Sequence, residues 1–152
     1  MLKRVVAVVA VVLATLVGAS PAANAQTQVF TVHLAPSGDP DGSGIAVLRF
    51  DSDANVVCYT MVVRNIDAPM EPAAGIGSAH IHGPLPATGI AIGLAADFRT
   101  AGASTHIARN CVNASSATID AVLANPELFY VNVHNMQFPG GAVQGGLAPA
   151  TD

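Results

Sequence analysis

Apolar and polar residues alternate along most of the chain that follows Gln26, and the alternation is sharpest near the carboxy end. In Phe129-Tyr130-Val131-Asn132-Val133-His134 the residues Phe129, Val131 and Val133 share one parity, and Tyr130, Asn132 and His134 the other. A period of two predicts a strand with one buried face, which leaves His134 on the face away from the core. Ala79-His80-Ile81-His82 repeats this in miniature, with both histidines opposite Ala79 and Ile81. Earlier in the chain, Phe30, Val32 and Leu34 alternate with Thr31 and His33, so His33 points outward. Ala46, Leu48 and Phe50 form the inward row of a second strand over Gly44–Asp51. The hairpin-length stretch 51–55 leads into a third strand, Val56–Asn65. There Val57, Tyr59, Met61 and Val63 stand opposite Cys58, Thr60, Val62 and Arg64. These three strands predict an antiparallel meander.

Punctuation between the periodic stretches sets the remaining elements. Pro36–Gly44 is a loop by composition, and its aspartates do not follow the spacing of a calcium-binding helix–loop–helix. The stretch 66–77, with two prolines and two glycines, is a connection. Gly83-Pro84-Leu85-Pro86 stops the His80 strand, because proline cannot donate to a ladder. Ile90–Leu94 predicts a short strand. Between Phe98 and Val112 the only sizeable apolar residue is Ile107, so the stretch from Asp97 to Ser116 predicts a long loop with at most one short strand. Ser116–Ala124 is the one helical segment: Ser116 or Thr118 can cap it, Asp120 suits its first turn, and Ile119, Val122 and Leu123 fall at helical spacing. Asn125-Pro126 ends it. A strand over 130–134, a turn at 138–141 and a closing strand Ala142–Leu147 complete the series. The fold class is all-β: an antiparallel Greek-key-like β-sandwich or flattened barrel of about six to eight strands with one short helix.

The amino terminus departs from this pattern. Lys3 and Arg4 precede an apolar run, Val5–Gly18, and Ala23-Asn24-Ala25 supplies a small-x-small cleavage site. Residues 1–25 therefore predict a signal peptide, and residues 26–152 a single exported domain, secreted or periplasmic, with no transmembrane segment of its own. The mean hydropathy of +0.49 is inflated by this leader. Without it, four arginines face ten carboxylates, a formal charge of −6, which excludes a nucleic-acid partner read through phosphate contacts. Export also makes a disulfide the first expectation for Cys58 and Cys111, the only cysteines; a thiolate metal ligand or two free thiols are the alternatives.

Candidate chemistry rests on the histidines. A His-x-His strand places two imidazoles on one face, His134 can join them from a neighbouring strand, and such a set suits copper or zinc. His106, in the unplaced 97–116 stretch, is the candidate fourth ligand. The competing role is structural, with the same rings hydrogen-bonding Asn132, Tyr130 or the carbonyls around Gly83 and Pro84. No catalytic residue is assigned. Ser104, Ser115 and Ser116 lack the Gly-x-Ser-x-Gly setting of a nucleophile elbow, the carboxylates are scattered singly through turns, and no glycine-rich phosphate loop links a strand to a helix.

His80-Ile81-His82-Gly83-Pro84, then Asn125-Pro126-Glu127-Leu128-Phe129-Tyr130-Val131-Asn132-Val133-His134, then Phe138-Pro139-Gly140-Gly141 and a terminal Gly-Gly-Leu, resemble the CHRD (chordin-type) domain family. The family tends to close on Gly-Gly-x-Ile-Arg-Gly, and Gln144 stands at its arginine here. The resemblance implies a secreted β module with binding or structural work toward an extracellular protein or small ligand. His80-Ile81-His82 and Val131-Asn132-Val133-His134 are also similar to two copper-ligand strands of copper-zinc superoxide dismutase, which implies the alternative of a copper-dependent redox protein. That enzyme's zinc loop, guiding arginine and steering lysines have no counterpart in this chain.

Overall fold

The computed structural model describes residues 27–67, 78–87 and 89–147; the leader, the candidate signal peptide and the 68–77 connection lie outside the described residues. Nine strands, β1 (Thr27–Pro36), β2 (Ser43–Asp51), β3 (Val56–Arg64), β4 (Ala79–His82), β5 (Ile90–Gly93), β6 (Arg99–Gly102), β7 (Thr105–Asn113), β8 (Tyr130–Val133) and β9 (Val143–Gly146), are joined by one helix, α1 (Ser116–Ala124). They form one antiparallel sheet in the order β5-β4-β8-β9-β1-β2-β3-β7-β6, curled into a half-barrel.

The meander forms as its periodicity requires. β1 and β2 pair from Thr27↔Asp51 to Leu34↔Gly44, and β2 and β3 from Asp51↔Val56 to Ser43↔Arg64. This register turns Val32, Leu48, Phe50, Val57, Met61 and Val63 into the concave side, where each is at most 1% exposed. The rings of Phe30 and Phe50 meet edge to face with centroids 5.6 Å apart. From the other half of the sheet, Ile81, Val131 and Val133 enter the same core, and α1 adds Ile119 and Val122.

The stretch 97–116 is where the sequence-based expectation fails. Instead of a long loop it contains β6 and the nine-residue β7, which pairs with β3 along its whole length, Val56↔Asn113 to Arg64↔Thr105. The fully buried positions of β7 are His106 and Ala108, one polar and one small, and the same row continues through exposed Asn110 to half-buried Val112, so no bulky apolar row announces the strand. Backbone pairing to β3 and the Cys58–Cys111 bridge hold it instead. The bridge joins residues directly opposite in the register, with Cα atoms 4.0 Å apart. The sheet accordingly has one strand more than the upper end expected.

Helix α1 spans the residues that its spacing predicts, with a different cap. Ser115, one residue earlier, accepts from the Thr118 amide at 3.1 Å. Asp120 falls beyond the first turn and accepts from the Ser52 hydroxyl at 2.7 Å, pinning the helix to the β2–β3 turn.

Candidate functional site

β4 and β8 lie side by side with Ala79↔Val133, His80↔Asn132, Ile81↔Val131 and His82↔Tyr130 in register. Because Ile81, Val131 and Val133 fill the core, the alternate residues His80, His82, Tyr130 and Asn132 share the convex face. His134, immediately after β8, is held there by its amide, which donates to the Ser78 carbonyl at 3.0 Å. Three histidines from two elements are thereby gathered on one patch.

Their rings are closer than the strand spacing alone would bring them. Residues two apart on a strand sit roughly 6.5–7 Å apart at Cα, yet the His80 and His82 ring centroids are 4.3 Å apart. An irregularity in the β4–β5 register falls between Ile81 and His82, where the two rings lean together. His80 also lies 5.0 Å from the His134 ring, and His82 stacks on its cross-strand partner Tyr130 at 5.0 Å with an interplanar angle of 10°.

Although His80 belongs to the convex face, it is only 6% exposed, and Asn132 opposite it is 5% exposed. The Asn132 side-chain amide donates to the Gly140 carbonyl at 3.1 Å, drawing the 138–141 turn across this face. Gly141 has φ +132°, and a Cβ there would strike the Asn132 amide, so only glycine lets the turn lie this close. Gly83 seals the other end in the same way: its φ is +133°, and a Cβ would stand 2.6 Å from the Leu128 carbonyl oxygen.

Two buried polar atoms in this patch have no hydrogen-bond partner, His80 Nδ1 and Asn132 Oδ1. Leaving such an atom unpaired costs about 1–3 kcal/mol. Burial first, and the neighbouring His82 and His134 in smaller measure, together push the His80 pKa down to about 4. His134 is lowered too, by burial first and then by His82. His80 is therefore a neutral imidazole at pH 7, the form in which a ring nitrogen can donate a lone pair.

The structure brings His80, His82 and His134 together and places His106 elsewhere. His106 sits on β7, five strands away in the sheet order, 5% exposed on the concave side with Nδ1 3.4 Å from the Thr100 hydroxyl. It lines a separate cleft with Asp39, Asp41 and Asp67. As the side chains are packed, no group of three or more His, Cys, Asp or Glu among the described residues is arranged to hold a metal ion. His33 is exposed on β1, and Gln144, at the position of the family arginine, is exposed on β9 opposite Asn132.

Asn132 was expected as a hydrogen-bond partner of the histidine rings; instead its amide donates to the Gly140 carbonyl and His80 Nδ1 is left unpaired. The parts played by Gly141 and Ser78 have no signal in strand alternation.

No curated protein and no solved structure matches the chain. A family model described as the CHRD domain matches residues 19–147, nearly the whole length and including every strand, the histidine patch and the glycines that close it, and the chain belongs to the CHRD domain family.

Proposed function

We propose that this protein is an exported CHRD module that binds one late transition-metal ion, zinc or copper, through His80, His82 and His134, in a binding or structural role. The observation that carries this reading is the buried, unpartnered Nδ1 of a neutral His80 packed against two further imidazoles. An ion ligated there would satisfy that atom, and the depressed pKa values remove the proton competition that ordinarily weakens histidine sites near neutral pH. Ligation requires the rings to turn from their present packing, including the His82–Tyr130 stack, so the affinity is reduced by that rearrangement.

Export is supported by the leader's charge and hydropathy pattern and by the Cys58–Cys111 bridge, which suits an oxidising compartment. Among the described residues no helix is long and apolar enough to cross a membrane.

The test is calorimetric titration of the metal-stripped mature chain with zinc and with copper(II), repeated on His80→Ala, His82→Ala and His134→Ala variants whose circular dichroism matches the parent. One-to-one binding that weakens at least tenfold in each variant is expected. Absence of binding in the parent, or binding unchanged by all three substitutions, would assign the histidines to holding the sheet. If copper is the ion bound, superoxide consumption by the loaded protein separates a redox role from a binding one.

A further inference from the structure

The second feature lies on the other half of the sheet and is independent of the histidines. All four arginines of the described residues project from the convex face of strands β2, β3, β7 and β6: Arg49, Arg64, Arg109 and Arg99. The parity is fixed by register. Arg109 pairs with Thr60, Arg99 pairs with Ile107, and both partners belong to the exposed row. Within the strands of this face the only carboxylate is Asp51, which ends β2 and binds Arg49 at 3.0 Å. That is the only ion pair among the described residues, so Arg64, Arg99 and Arg109 have no carboxylate of the described residues within 4.0 Å. A chain with a formal charge of −6 without its leader thus keeps its cations on one surface.

Arg99 and Arg109 are diagonal neighbours across β6 and β7, close enough for long side chains to converge on one ligand group. They line a cleft with Thr60, Asn110, Ile107 and Asp97. A guanidinium matches a carboxylate in planar, two-point fashion. Thr60 and Asn110 add a hydroxyl and an amide that can pair with ligand hydroxyls, and Ile107 offers a small apolar floor.

We propose that this face binds a carboxylate-bearing polysaccharide, with one uronate-type carboxylate held between Arg99 and Arg109 and the chain running across β3 toward Arg49, which pairs with Cys58 two positions from the Thr60 partner of Arg109. Charge complementarity names the anion, and the hydroxyl and amide lining names the sugar. Asp97 opposes the ligand's charge and sets the sign of one variant's effect.

The test is affinity electrophoresis of the mature chain through gels containing polygalacturonate, with neutral dextran as control, at low salt and at 0.15 M salt. Retardation by polygalacturonate alone is expected, weakening as salt rises. The Arg99→Gln/Arg109→Gln double variant should lose at least tenfold in affinity with an unchanged melting temperature, and Asp97→Asn should bind several-fold tighter. Equal mobility in both gels, or retardation that the double variant retains, would overturn the proposal. So would binding to anionic phosphatidylglycerol vesicles without binding to polygalacturonate, which would make the face a lipid surface.

Discussion

At the scale of single residues, the histidine patch depends on side chains that do no ligand chemistry themselves. Gly141 is the clearest case, since it combines φ +132° with close approach to the Asn132 amide. A Gly141→Ala substitution meets both a strained backbone and a displaced Asn132, and a loss of about 2–4 kcal/mol is expected in urea unfolding. Gly140 is the internal control, because a Cβ there meets nothing within 4 Å. Gly140→Ala should therefore be close to neutral, and equal losses at the two positions would show that contact with Asn132 is not the cause. Strand periodicity put His80 on the convex face correctly. It could not foresee that His80 would be buried there, because the cover comes from chain folded over the strand, seen at Asn132 and Gly140, and alternation says nothing about such cover.

At the scale of elements, β7 shows what alternation can and cannot reveal. β1, β2 and β3 announce themselves through large apolar residues at every second position. β7 carries His106 and Ala108 where such residues would stand, and it is defined by its partner strand. The Cys58–Cys111 bridge ties that partner at its register position, closing a segment of 53 positions. Loop-closure entropy gives such a bridge roughly 4 kcal/mol. The Cys58→Ser/Cys111→Ser variant should lose stability of that order, with exchange protection falling first in the β7 and β6 amides. A uniform fall across all nine strands would mean that β7 does not open before the rest of the sheet. Helix α1 was easier to foresee in its extent, because Ile119 and Val122 fall at helical spacing, although its cap is Ser115 and not Ser116 or Thr118. Only its contact with Ser52 depends on distant chain.

At the scale of the whole molecule, the response to acid joins burial, charge and fold. His80 has its folded-state pKa pushed down to about 4, below the ordinary 6.5. Above pH 6.5 both folded and unfolded states hold it neutral, and its burial then carries no ionisation penalty. As pH falls from 6.5 toward 4 the unfolded chain takes up the proton first, so stability falls through that window, by roughly 3 kcal/mol once both states are protonated. His134, also lowered by burial, adds in the same direction. Asp51 is held below the usual carboxylate range, chiefly by the Ala54 amide, so its contribution is present above pH 3.8 and disappears only at lower pH. Asp39, raised by burial and by Asp41, acts in the opposite sense, since its protonation relieves a penalty. The first loss on acidification should therefore come from the histidine patch. Melting temperature recorded from pH 7.5 to 4 on chelator-treated protein should fall mainly below pH 6.5, and His80→Gln should flatten the curve relative to its own value at pH 7.5. A variant curve parallel to the parent's would move the responsible group away from the patch. A flattened curve would show that the fold keeps His80 neutral at the expense of acid stability, leaving its ring nitrogen available to an ion at neutral pH.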